Sequence, residues 1–220
     1  MTTVPYNALS SYSRVKILHA LQLRGERTIS ELCAATGLHP NTVREHLQRL
    51  MDGGYVVSEG EDRHTRGRPR VLYSAASGAH RVSPVAQRKA RAAAERGDLM
   101  RRVMPWTDAA ADAALPTDAV HQLDALIEDL LDAGFEPGVD ERTLTLDITP
   151  CPHADAQGDQ RDTLCAVHLG LMDSVLAQAG GPLRVDTMAA SCDPAQCVVR
   201  LMLARRAEAG AVPAAAVAHR

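Results

Sequence analysis

Four of the five cysteines, Cys151, Cys165, Cys192 and Cys197, stand in the C-terminal half, each at an expected junction between elements. Thiolates from separate junctions can converge on one end of a small sheet, and soft sulfur ligands select zinc or iron-sulfur over hard cations. Cys165 is expected in the first turn of a helix, where the positive end of the helix favours the thiolate. His168 follows three residues later on the same helical face. The spacing is neither the paired C-x-x-C of zinc ribbons nor a ferredoxin pattern, so metal ligation and four buried or redox-inert thiols both stay open. A Cys165–His168 nucleophile and base pair is a third possibility. No third orienting group or oxyanion motif accompanies it, and the chain is therefore expected not to be an enzyme.

A second set of residues suits DNA. Asn41, Thr42, Arg44, Glu45, Gln48 and Arg49 form the polar face of a helix whose other face carries Val43, Leu47 and Leu50. Asn, Arg and Gln are the types that pair with adenine and guanine edges. Arg66, Arg68 and Arg70 follow in a loop between two short strands, where guanidinium groups can hold phosphate bidentately. The charge agrees with this division. Residues 1–104 hold 17 Lys and Arg against 9 Asp and Glu, and residues 105–220 hold 7 against 18, so a net charge of -3 conceals a basic half and an acidic half.

The elements that position these residues can be read from periodicity. Val15, Ile17, Leu18, Leu21 and Leu23 mark a first helix ending at Gly25, and Thr28 or Ser30 caps a short second one ending at Gly37. Pro40 opens the polar-faced helix, which runs to about Asp52. Tyr55 to Ser58 and Val71 to Ser74 read as a hairpin around the Arg-rich loop. Helix, short helix, turn, polar helix and hairpin together make a winged helix-turn-helix. Cys33 is expected as a small core residue and His46 as a packing or capping residue.

A linker helix from Val85 to Arg102, with a frayed or broken centre at Gly97, carries Arg88, Lys89 and Arg91, which suit either DNA phosphates or a solvated face. A helix from Asp118 to Ala133 bears an apolar stripe that needs a partner, either a second subunit or the rest of the chain. Beyond it come a strand from Thr143 to Thr149, a helix capped by Asp162 or Thr163 and closed at Gly180, and strands near Leu183 to Met188 and Val198 to Leu203.

Two stretches resemble known families. Thr42-Val43-Arg44-Glu45-His46-Leu47-Gln48-Arg49-Leu50 with Gly67-Arg68-Pro69-Arg70-Val71-Leu72-Tyr73 resembles the winged-helix regulators of the ArsR/MarR-like group. Cys151-Pro152-His153, Cys165-Ala166-Val167-His168-Leu169-Gly170-Leu171-Met172 and Cys197-Val198-Val199-Arg200-Leu201 resemble the effector domain of SufR-type iron-sulfur regulators. That resemblance implies a 4Fe-4S cluster, a homodimeric repressor of cluster-assembly genes, paired half-sites in double-stranded DNA, and Cys151, Cys165 and Cys197 as ligands. His153 and Cys192 depart from the shared pattern and leave the fourth ligand open, with His168 first and Cys192 or His153 behind it. Zinc, or a cysteine thiol switch, is the alternative cofactor reading of the same residues.

Composition bounds the remainder. The 220 residues are 45% hydrophobic but only 3% aromatic, so the cores must be aliphatic. No apolar run approaches the roughly 20 residues of a membrane span, and no export signal opens the chain, which gives a cytoplasmic expectation without a membrane partner. The fold class is accordingly α+β. It comprises a DNA-binding domain at 1–80, a helical linker and dimerisation region at 81–134, a cysteine-containing α/β sensor domain at 135–205 and a disordered tail at 206–220.

Overall fold

The computed structural model describes residues 11–60, 70–77, 81–104, 115–148, 156–186 and 197–204. Helix α1 (Tyr12–Arg24) buries Val15, Ile17, Leu18 and Leu21, and ends where Gly25 takes a φ of 72° that side-chain-bearing residues resist. Helix α2 (Ile29–Thr36) begins with a reciprocal cap. The Thr28 hydroxyl accepts from the Glu31 amide at 3.3 Å, and the Glu31 carboxylate accepts from the Thr28 amide at 2.7 Å. Helix α3 (Pro40–Gly53) starts on its proline and buries Val43, Leu47 and Leu50 against α1 and α2. Strands β1 (Val56–Gly60) and β2 (Val71–Ala75) pair antiparallel, with Val56 opposite Ala75 and Gly60 opposite Val71. Arg27 adds a third strand position to this wing, its amide and carbonyl bonding Tyr73 at 2.9 and 2.8 Å.

Helix α4 (Pro84–Val103) and helix α5 (Thr117–Asp132) pack on each other. Contrary to the expected break at Gly97, α4 is continuous. Gly97 marks a close approach instead: a Cβ there would overlap the Asp124 carboxylate of α5. Arg101 then clamps the pair, donating to Asp124 at 2.8 and 2.9 Å and to Asp98 at 2.9 Å. The apolar stripe of α5 is largely satisfied within the chain, since Leu123, Leu126 and Leu130 are buried, while Leu131 stays 54% exposed.

The C-terminal sheet has the antiparallel order β3-β4-β6-β5, formed by β3 (Gly138–Asp140), β4 (Thr145–Asp147), β5 (Leu183–Val185) and β6 (Val198–Leu203). Strand β3 has no counterpart in the sequence expectation, and β4 is shorter than the Thr143–Thr149 run. Leu144, at a φ of 52°, belongs to the turn that joins the two strands. Buried Gln122 ties α5 to this layer, donating to the Leu176 and Leu183 carbonyls at 2.7 and 3.1 Å and accepting from the Leu183 amide at 2.7 Å.

Helix α6 (Asp159–Ala179) serves two cores. Leu164, Val167 and Leu171 are buried with the side chains of α1, α2 and α3. Met172 and Leu176, with Leu169 and Val175 beside them, belong to the cluster formed by α5 and the sheet. At 100° per residue the two apolar faces lie roughly 100° apart around the helix. Gly170 lets α1 come close, because a Cβ there would sit 2.5 Å from the Gln22 amide nitrogen, which instead donates to the Val167 carbonyl at 3.3 Å. Truncating one residue of this contact, Leu171→Ala, is expected to cost about 2–5 kcal/mol. Urea denaturation followed by circular dichroism checks it, and a midpoint unchanged from the parent protein would remove α6 from the N-terminal core.

Candidate nucleic-acid interface and cysteine centre

Amphipathic α3 decides the geometry of the first site. With Val43, Leu47 and Leu50 turned inward, Asn41, Arg44, Glu45, Gln48 and Arg49 are exposed, and Thr42 is half-buried at the edge. The exposed side chains hold one another at helical spacing. Arg44 donates to Asn41 at 2.9 Å, Gln48 donates to Asp52 at 2.8 Å, and Arg49 pairs with Glu45. Such surface pairs are worth well under about 1 kcal/mol and exchange readily for stronger partners.

A groove of about 610 Å³ separates α3 from the wing, bordered by Thr28, Ser30, Glu31, Arg44, Arg70 and Tyr73. Two guanidinium groups, Arg44 and Arg70, border this concave surface together with the Glu31 carboxylate, and guanidinium is a chemistry suited to phosphate. Glu31 is held below the usual carboxylate range, first by the Thr28 amide and hydroxyl and further by Arg27 and Arg70. It therefore stays an anion and keeps its capping role. Arg66 and Arg68 lie outside the described residues.

Behind the reading face, His46 is half-buried and its Nδ1 has no hydrogen-bond partner among the described residues. Burial, and then the neighbouring Arg14 guanidinium, push its pKa below the ordinary histidine value. His46 is thus a neutral packing residue, as the sequence indicates. Cys33 is also half-buried and packs against the same core.

In the C-terminal half, Cys165 lies in the second turn of α6 rather than the first, because the helix starts at Asp159 after Gly158. The dipole contribution to its thiolate is correspondingly weaker than the sequence suggests, since that effect fades beyond the first turn. His168 is buried three residues on, its ring stacked on Phe135 with centroids 4.6 Å apart and planes 20° from parallel. Cys165, His168, Leu169 and Met172 follow one another at i, i+3, i+4 and i+7 along the sheet-facing side. Cys197 opens β6 and is buried with Phe135 and Ile148 in the same cluster, its carbonyl accepting from the Ile148 amide at 2.9 Å. Cys165 is half-buried on α6, while His168 and Cys197 are buried, and thiolates with an imidazole are donor types that fit iron or zinc. Among the described residues no three His, Cys, Asp or Glu side chains group as a metal site. Cys151, His153 and Cys192 lie outside the described residues, and Cys151 is three positions along the chain from Ile148.

Two residues that sequence reasoning passed over join the halves. Tyr55, directly after α3, donates its hydroxyl to Asp129 of α5 at 3.0 Å. The one signal in the sequence was Gly53-Gly54 before the tyrosine, an unusual pair at the end of a reading helix.

A tri-helical core, an exposed polar helix and an adjoining wing define a helix-turn-helix DNA-binding domain. Residues 11–58 match the family described as bacterial regulatory protein, arsR family, and no curated protein matches the chain. These residues are an ArsR-type helix-turn-helix, the DNA-binding part of a transcriptional regulator. Among the described residues no helix is long and apolar enough to cross a membrane.

The environment of His46 sets a sign for pH dependence. Its folded pKa lies below the unfolded value of about 6.5, so the unfolded chain takes up the proton first as pH falls. This contribution to stability is complete above pH ~6.5 and is lost as pH falls from there through the folded pKa. Thermal melts between about pH 7.5 and 5 are expected to decline less steeply in His46→Leu than in the parent. Parallel profiles would contradict the assignment.

Proposed function

We propose that this chain is a repressor of iron-sulfur cluster assembly genes that senses through a 4Fe-4S cluster in its C-terminal half. The observation that carries the reading is the double use of α6. The face bearing Cys165 and His168 adjoins the face by which Leu164, Val167 and Leu171 enter the DNA-binding core. A change in what binds the cysteines bears directly on a helix that the reader cannot do without.

Cys151, Cys165 and Cys197 would hold the cluster, with the fourth iron left to His168, Cys192 or His153. When bound, the cluster supplies redox- and oxygen-sensitive iron held by thiolates. The chain's own residues do the remaining work. Phe135 and Met172 are buried in the cluster that holds Cys197, and the stack on Phe135 fixes the plane of the His168 imidazole. A coupling of about 1–3 kcal/mol between cluster and DNA would alter affinity several-fold to a hundred-fold.

On the DNA side, Asn41, Arg44 and Gln48 would read base edges, while Thr42, Glu45, Arg49, Arg66, Arg68 and Arg70 border or hold the backbone. Recognition of paired half-sites calls for a homodimer. The end of α4 supports one, since Leu99, Met100, Val103 and Met104 are 57, 56, 68 and 58% exposed. The division into reader, linker and sensor at 1–80, 81–134 and 135–205 belongs to the same reading.

Anaerobic purification with iron and acid-labile sulfide analysis tests the cofactor. A brown protein is expected, with Cys165→Ser and Cys197→Ser colourless; colourless parent protein carrying zinc, or serine variants with full iron and sulfide, would overturn it. For the reader, Arg44→Ala is expected to cost about 1–3 kcal/mol on an operator selected from genomic fragments. Arg70→Ala should instead flatten the salt dependence by about one unit of slope. Equal binding by both variants and parent in a titration across salt concentrations would place the interface elsewhere.

A further inference from the structure

Tyr55 occupies a three-way junction. Its amide donates to the Leu50 carbonyl at 2.9 Å and closes α3, and its carbonyl accepts from the Ala76 amide at 2.9 Å where the wing ends. Its side chain packs against the N-terminal core and also borders a socket made by α4, α5 and α6. Ala86, Ala90, Ala93 and Ala125 line that socket, a cavity of about 40 Å³ beside the ring. At its end the hydroxyl meets Asp129, a residue 74 positions away in the chain. Lys89 stands over the ring at 6.0 Å from its centre.

The two preceding glycines are shaped to this placement. A Cβ at Gly53 would lie 2.8 Å from two carbons of the Tyr55 ring. At Gly54, which has a φ of 86°, a Cβ would lie 2.9 Å from the Ala86 amide nitrogen at the start of α4. Any other residue at either position would push the recognition helix away from the socket or the ring out of it. Enclosure pushes the Asp129 carboxyl above its usual range, with the Tyr55 hydrogen bond and Lys89 pulling the other way. The same enclosure, and then Asp129, push the phenol far above its ordinary pKa, so it remains a donor throughout the working range.

We propose that Tyr55 is a positioning residue for DNA binding: anchored on Asp129, it fixes the angle between the recognition helix and the wing and ties that angle to α5. The inference rests on the DNA-binding reading above. A ring that only filled space would work as well without its oxygen, and this distinguishes anchoring from packing.

The experiment compares the full-length parent with Tyr55→Phe, Asp129→Leu, the double variant and Asp129→Asn, which keeps an acceptor. Hydrogen exchange by mass spectrometry and affinity for a selected operator are measured on each. Tyr55→Phe is expected to melt within about 2–4 °C of the parent. It should nevertheless exchange faster across residues 50–58, with α1 unchanged, and bind DNA roughly fivefold or more weakly. The double variant should be no worse than either single change, and Asp129→Asn should resemble the parent. Parent-like exchange and affinity in Tyr55→Phe, or simple addition of the two single effects, would overturn the proposal. A parent that binds no duplex would refute the DNA reading alone, because the exchange pattern reports on the anchor without DNA.

Discussion

Helix α6 cannot be buried by one half of the protein. Leu164, Val167 and Leu171 complete the core beneath the reading helix, while Met172 and Leu176 complete the core beneath the sheet. A fully buried side chain of this size contributes about 1.5–3 kcal/mol relative to exposure, so neither face can be left in water at small cost. The polar groups along the helix reinforce the constraint. Gln22 reaches the Val167 carbonyl, and Gln178 accepts from the Ser83 amide and donates to the Arg81 carbonyl at 2.8 Å, in place of water. Asp173 accepts from the Val185 amide at 3.1 Å on the sheet side.

Two of the links between the halves bear on the recognition helix. One is the aliphatic contact of α6 with α1, which lies beside the α6 face that bears Cys165 and His168. The other is the Tyr55–Asp129 bond, which reaches the recognition helix at its far end. Because α5 meets both Tyr55 and the sheet, through Asp129 and Gln122 respectively, a movement in the C-terminal layer has a physical route to the reader. The coupling needs no flexible hinge; it follows from shared burial and from polar groups that would otherwise go unsatisfied.

The N-terminal domain was legible because its signals are local. The 3.6-residue spacing of α1 and α3, the cap at Thr28 or Ser30, the Gly37 stop and Pro40 each act within one or two turns. Gly97 misled because a glycine within a helix reads as a break until the close approach of Asp124 is known. Strand β3 went unseen because three residues carry no periodicity, and its pairing partner supplies the order. The dual burial of α6 and the socket for Tyr55 depend on contacts scores of residues apart, to which pattern reasoning is blind. Of the cysteine centre, the helix and strand that carry Cys165, His168 and Cys197 were readable. The start of α6 was not, since Asp159 and Gln160 resemble the polar loop before them.

The central claim is that reader and C-terminal layer share one folding unit through α6, and native-state hydrogen exchange in low denaturant tests it most directly. The slowest amides of α1 and α6 are expected to open with the same free energy and the same denaturant dependence. If α1 and α3 instead open at a lower free energy with their own, smaller denaturant dependence while α6 stays protected, the two halves fold separately and the coupling described here does not exist.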